Sequence, residues 1–332
     1  MSGSTMQDGS GMAGRTGAGC RLGRRHASLG LGLLVAAPWL AARRTQAADH
    51  PLYAEAVAQV TPPGGWTSRI ALMDSVPRLV AAGVIDPDKM MALRRKLPDT
   101  ARPLNDRLGL APGHALIAGE AAVPAEIGYL LRWPSPAPIR LTRASAGHYL
   151  NLLWPLGLAN RMAANEDSPI KGDMLARYAS TSGWTLGRAD NGAAYFNSCD
   201  AVALTPAQAE LALAVAQSTY RPCCDNSTFF QDCNHGSALL GLLELGAAQG
   251  LSEDELYREA LSFNSFWFAD AYIQMALYFK LMQNRDWDRV DPRLALSYQF
   301  SALGPWQANV QRSIEVFTDL LPAPPPGASC SL

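Results

Sequence analysis

Charge is scarce in this chain and balanced where it occurs. Charged residues fill 17% of the 332 positions, with 28 Lys and Arg against 29 Asp and Glu. There is no basic excess to make an electrostatic footprint for nucleic acid. Histidine is rarer: five in all, and none beyond His235. No Cys-x-x-Cys-His occurs, which argues against covalent attachment of a c-type haem. No internal repeat is visible, so a solenoid or propeller is not expected. After residue 47, no apolar run reaches the length of a membrane span. Strand-like alternation is also sparse.

Apolar residues make up 48% of the chain, enough for a sizeable core. The first 47 residues have another character. Arg15, Arg21, Arg24, Arg25, Arg43 and Arg44 stand against the single acid Asp8. A mild apolar run, Ala27 to Ala42, follows the arginine pair, and Thr45-Gln46-Ala47 offers a small-residue cut site. This is the order of an export signal. The paired arginines and weakly apolar centre resemble a bacterial twin-arginine signal, although His26-Ala27 stands where that pattern has a large apolar residue. The resemblance implies a periplasmic or otherwise exported protein. Without those residues the chain has 22 basic against 28 acidic side chains, a net charge of about −6.

The remainder reads as mainly α: a compact, orthogonally packed helical domain over 48–321 with one small β-hairpin. A proline-rich tail, 322–332, is too rich in proline to pack as helix or strand. Thr67 is expected to cap a helix carrying Ile70, Met73, Val76, Leu79 and Val80. Asp86-Pro87 opens another, ending at the basic cluster Arg94-Arg95-Lys96, a solvated face. Residues 133–138 are extended. Thr142 caps a helix from Arg143 to Trp154, carrying His148, which reads as a packed or half-exposed side chain. Lys171 to Ser180 forms a short helix. Residues 183–197 look like the β-hairpin, turning at Asn191-Gly192. Thr205-Pro206 starts a helix, Ser252 with Glu255 forms a capping box, and Ser265 heads an aromatic helix to Met282. A last helix covers about Trp306 to Leu321.

Chemistry concentrates in Cys223-Cys224-Asp-Asn-Ser-Thr-Phe-Phe-Gln-Asp-Cys233-Asn-His235-Gly236. The next fourteen residues are apolar on nearly every side, with Glu244 their one charge, so the loop feeds the N-terminus of a central buried helix. Free N–H groups there favour thiolates. Three readings follow. Cys223 or Cys224 pairs with Cys199 or Cys233, or both pairs form, with Cys330 left out, as suits an exported structural or interaction protein. Alternatively Cys223, Cys224, Cys233 and His235 bind a metal, zinc or copper, in a metal- or redox-linked role. The spacing matches no standard finger.

The third reading rests on Gln231-Asp232-Cys233, the apolar helix and Leu251-Ser-Glu-Asp-Glu-Leu256. Over about 30 residues this resembles the nucleophile helix of papain-like bacteriocin-processing peptidases. The resemblance implies Cys233 as nucleophile and Gln231 as oxyanion donor. It also implies a downstream histidine on a strand, which this chain lacks, so His148 or His114 would serve through a permuted order.

Overall fold

The computed structural model describes residues 50–92, 123–179 and 183–321. The expected leader, the basic cluster at 94–96, His114, the tail and Cys330 lie outside these residues. The described residues are mainly α, with one two-stranded antiparallel sheet among them. The main helices are α1 (Pro51–Val60), α2 (Ser75–Ala81), α3 (Val123–Leu130), α4 (Ala146–Ala159), α5 (Asp173–Tyr178), α6 (Pro206–Ser218), α7 (Asn234–Ala248), α8 (Glu253–Trp267) and α9 (Ala269–Gln283). Among the described residues, no helix is long and apolar enough to cross a membrane.

α7 is the axle. Gly236 through Ala247 are all buried, because three helices and the small sheet pack around them. Each buried leucine contributes roughly 1.5–3 kcal/mol relative to exposure. α4 crosses α7 with the backbones in contact. A Cβ on Gly157 would lie 1.9 Å from the Ser237 carbonyl oxygen, and one on Gly241 would lie 2.7 Å from that of Leu153. No larger residue permits that crossing.

The sheet is built elsewhere than expected. β1 (Trp66–Met73) pairs with β2 (Ser135–Leu141), with Trp66 opposite Leu141. The stretch expected to continue from Thr67 as a helix is therefore strand first and α2 afterwards. Its buried residues include Ser68, Ile70 and Leu72, at the period of two that a strand requires. The i+3 spacing of Ile70, Met73 and Val76 was coincidental. The Asn191-Gly192 signal turns no hairpin: the Asn191 side chain accepts from Ala193 N at 2.8 Å and caps a short 3-10 turn, Gly192–Tyr195. β1 is tied to α8 through Glu259, a buried carboxylate that accepts from Trp66 Nε1 (3.1 Å), Ser68 Oγ (2.7 Å) and Arg69 N (2.8 Å).

Helix ends follow local chemistry. Thr205 with Gln208 and Ser252 with Glu255 form capping boxes. Asp86 accepts from Asp88 N and Lys89 N, heading a helix that runs over 87–92. Thr142 does not cap α4; it exchanges hydrogen bonds with Ser145, which moves the helix start to Ala146. Pro155 sits inside α4 rather than ending it. The break before the aromatic helix falls at Phe268, not Ser265. The last helical stretch spans Leu303 to Ile314 and contains a π turn, Gln307–Gln311.

Candidate functional site

The site is a loop, 219–233, folded around one arginine. Arg221 is fully buried. Its guanidinium has five N–H donors, and five acceptors meet it. Nε donates to Cys233 Sγ at 3.2 Å. Nη1 donates to the carbonyl oxygens of Asn226 (2.9 Å) and Ser227 (2.8 Å). Nη2 donates to Phe230 O (3.1 Å) and Asp232 Oδ1 (2.8 Å). Loop and arginine thus fix each other. Gly236, in the first turn of α7, makes room: a Cβ there would stand 2.5 Å from Arg221 Nη2. Farther out, Thr228 N donates to Thr219 O and Phe229 N to Ala216 O. Leu303 N donates to Cys224 O, and Gly304 N to Asp225 Oδ1 at 2.8 Å.

Cys233 is the N-cap of α7, and its Sγ accepts from Gly236 N at 3.4 Å. Cys223 Sγ lies 3.8 Å away. The ligand atoms of Cys223, Cys233 and His235 all fall within 4.8 Å of one another. A second group, Cys224, Asp232 and Cys233, meets the same limit. Cys233 belongs to both. The four predicted ligands therefore fall into two overlapping groups, with Cys224 in the second. All four are half-buried. The His235 ring packs on Phe268 at 4.5 Å between centroids and on Trp267 at 6.2 Å, so the α8–α9 junction walls the site.

The thiols are electrostatically unequal. Hydrogen bonds from Cys223 and Cys224 hold Cys233 well below the usual thiol range, helped by the Arg221 charge and His235 and opposed by burial. Hydrogen bonding to Cys224 and Cys233, then burial, pushes Cys223 well up. Contact with Cys223 pulls Cys224 down, but contact with Cys233 and burial outweigh it and place Cys224 at about 11. Burial also raises the Asp232 carboxyl, against the pull of Arg221. Cys233 is thus the most readily ionised of the three thiols.

Cys199 joins neither group. It lies beside the C-terminus of α4, where its N–H donates to Ala159 O at 2.9 Å, and burial raises its thiol. Cys199, Cys223, Cys224 and Cys233 are all free, so the expected disulfides are not formed among the described residues. A covalent pair needs about 2.05 Å between sulfurs, and Cys223 and Cys233 keep 3.8 Å. Gln231 is buried and its amide donates to Asn165 Oδ1 at 3.1 Å, which engages one of its two N–H donors. Neither strand carries a histidine. His148 is half-buried on α4, outside both groups.

Sequence reasoning missed Arg221, Asp232, Trp267 and Phe268 as parts of the site. The available signal was Arg221-Pro222, a charge with no acidic neighbour within three residues, set directly before two cysteines. Comparison with protein-family models, with curated proteins and with solved structures found no match.

Proposed function

We propose that this chain is a metal-binding protein whose Cys223, Cys233 and His235 hold a thiophilic ion, zinc or copper(I). The separation of the two sulfurs carries the reading. Two thiolates each about 2.3 Å from a tetrahedral ion lie about 3.8 Å apart, and Cys223 and Cys233 stand at 3.8 Å. His235 supplies the borderline nitrogen donor that such ions accept alongside sulfur. Arg221 serves the site by holding the Cys233 sulfur in place and offsetting thiolate charge. The arginine pair and apolar run near the N-terminus support export to the bacterial periplasm, where metal scavenging and delivery are both useful.

Metal titration against a chromophoric chelator tests the reading. One equivalent of zinc or copper(I) is expected per chain, with C233S lowering affinity at least 100-fold. Retention of full affinity in C233S would sink it. N-terminal sequencing of the secreted form tests export, with the cut expected after Ala47.

A second reading is favoured by one observation: Arg221 Nε and Gly236 N both donate to the Cys233 sulfur. A thiolate so held is a nucleophile, and it would serve a redox role. In this case iodoacetamide labels Cys233 faster than free cysteine, and R221Q slows that labelling. Equal rates for Cys233 and free cysteine would remove this second reading.

A further inference from the structure

We propose that Cys233 is a shared disulfide partner: hydrogen peroxide joins it to Cys223 or to Cys224, and the new bond takes sulfur donors away from a bound ion. The thiol chemistry stands on the positions of the three sulfurs. The release of the ion rests on the metal-binding reading and adds a regulation to it.

The three sulfurs are not equivalent as partners. Cys233 Sγ lies 3.8 Å from Cys223 Sγ and within 4.8 Å of Cys224 Sγ. The Cys224 sulfur is in hydrogen-bond contact with both of the others. Cys233 therefore has two partners in reach. Cys223 and Cys224 are chain neighbours, and a bond between them would close a very small ring against the planar trans peptide that joins them. Cys199 groups with none of the three.

Closing Cys223 onto Cys233 needs little movement. A covalent pair lies at about 2.05 Å, so the two sulfurs approach by roughly 1.8 Å, shared between two side-chain rotations. The intervening chain is already closed on itself. Arg221 holds the carbonyl oxygens of Asn226, Ser227 and Phe230 and the Asp232 carboxylate. The entropy of bringing the loop ends together is thus lost on folding, before any bond forms. Trp267 and Phe268 wall the site on the His235 side and the three cysteines are half-buried, which selects a small oxidant.

The steps balance. The Cys233 sulfur attacks one peroxide oxygen, the O–O bond breaks, and the other oxygen leaves as water, giving a sulfenic acid. The Cys223 or Cys224 sulfur then attacks the Cys233 sulfur, and the S–O bond breaks with loss of a second water. Two thiols give up two electrons, and one peroxide is reduced to two waters. From the ion-bound state the sulfurs carry no protons, so solvent supplies two. With Cys223 joined to Cys233, the Cys224 sulfur can attack Cys233 in turn: one S–S bond breaks, another forms, and a proton passes to Cys223. A neutral disulfide leaves Arg221 paired with Asp232 at 2.8 Å, so the oxidised loop is charge-balanced without the ion.

The full chain, reduced, loaded with zinc and treated with stoichiometric hydrogen peroxide, tests this. Disulfide mapping by peptide mass spectrometry is expected to find Cys233 linked to Cys223 or Cys224, a chromophoric chelator to take up the zinc as the link forms, and dithiothreitol to reverse both. C224S is expected to keep the Cys223–Cys233 link, C223S to form Cys224–Cys233, and C233S to form no link within the cluster. A Cys223–Cys224 link in C233S, or oxidation of wild type to sulfinic acid without a cross-link, overturns the proposal. So does zinc that stays bound once the link has formed, which leaves the metal-binding reading standing. If the reduced chain takes up no zinc, the metal-binding reading fails and the release with it, while the cross-link map still judges the thiol chemistry. Far-UV circular dichroism checks each variant's fold; should C223S unfold, wild type and C224S decide.

Discussion

Among the described residues, two ionisable side chains, Arg221 and Glu244, are fully buried at or beside α7, and the protein treats them in opposite ways. Arg221, at the N-terminal end, spends all five donors on five acceptors. Glu244, in the middle of the helix, has both carboxylate oxygens without a hydrogen-bond partner. Asn160 lies near enough to lower the Glu244 pKa somewhat, yet its Nδ2 makes no hydrogen bond of normal geometry. Burial dominates and drives the Glu244 carboxyl well above its ordinary 4.5. An ionised, unpaired carboxylate in that position costs several kcal/mol, so the group folds protonated. Glu259 shows what a fully accommodated buried glutamate looks like here, with three donors aimed at it. The contrast separates two ways of burying polarity. The end of α7 is arranged to keep a charge in place beside sulfur. The middle of α7 is arranged to keep a charge from forming.

The most direct way to break the comparison is to remove the arginine. R221A leaves the loop carbonyls, Asp232 and the Cys233 sulfur without their donor. Breaking a buried pair costs about 3–5 kcal/mol, and urea denaturation should show a loss of that size. R221K restores charge but offers three donors in place of five in a fixed fork, so it should recover less than half of the loss. Full recovery by lysine would mean that charge, and not the fork, organises the loop. G236A attacks the same contact from the other side. Its Cβ would meet the guanidinium at 2.5 Å, and overpacking of this kind costs about 1–3 kcal/mol. The metal affinity of G236A should fall with stability, because the displaced arginine carries the Cys233 sulfur with it.

The opposite side of the comparison is tested by pH. The Glu244 carboxyl has a folded pKa above its unfolded value. Its stabilising contribution is complete below the ordinary 4.5 and is lost as pH rises through the folded pKa. Wild-type stability should therefore decline from mildly acidic toward alkaline pH. E244Q is neutral at every pH and nearly isosteric. It should flatten that slope and be the more stable protein at alkaline pH, measured by thermal melts across the series. Asp270, whose carboxyl burial raises to about 7, gives a slope of the same sign, so the test is the difference between the two proteins. If E244Q does not reduce the slope, burial does not hold Glu244 neutral and the contrast with Arg221 dissolves.

These two residues also show what the sequence made legible. The all-round apolar character of 237–250 announced α7 as buried, and the lone Glu244 stood out within it. The Cys223–His235 stretch pointed at the helix start, and Cys233 is indeed its N-cap. Capping boxes at Thr205 and Ser252 were readable because their chemistry is local. What depended on distant partners was not. Arg221 reads as an ordinary loop arginine until the chain folds back from Asn226 to Cys233 around it. The sheet escaped because β1 and β2 are some 60 residues apart in sequence, so no turn dipeptide marks their pairing. Asn191-Gly192 carried the turn signal instead, and a side-chain cap used it. Cys199 looked like a member of the cluster by residue type alone, and its place at the end of α4 keeps it out.

The smallest effect calibrates the others. Thr205 Oγ1 accepts from Gln208 N at 3.3 Å, while Gln208 Oε1 accepts from Thr205 N at 2.9 Å. This is a polar contact exposed to water, at the start of a helix that packs on α7, and its capped end lies at the C-terminal end of α7, where Gln208 Nε2 donates to Ala248 O at 3.4 Å. T205A should cost about 0.5–2 kcal/mol in urea denaturation, since water replaces part of what the cap supplied. Metal affinity should be unchanged, because the lost contact neither touches sulfur nor carries Arg221. If T205A weakens metal binding as much as G236A at equal loss of stability, then affinity follows global stability alone. The local fastening of Cys233 by Arg221 would then have no separate part in holding the ion.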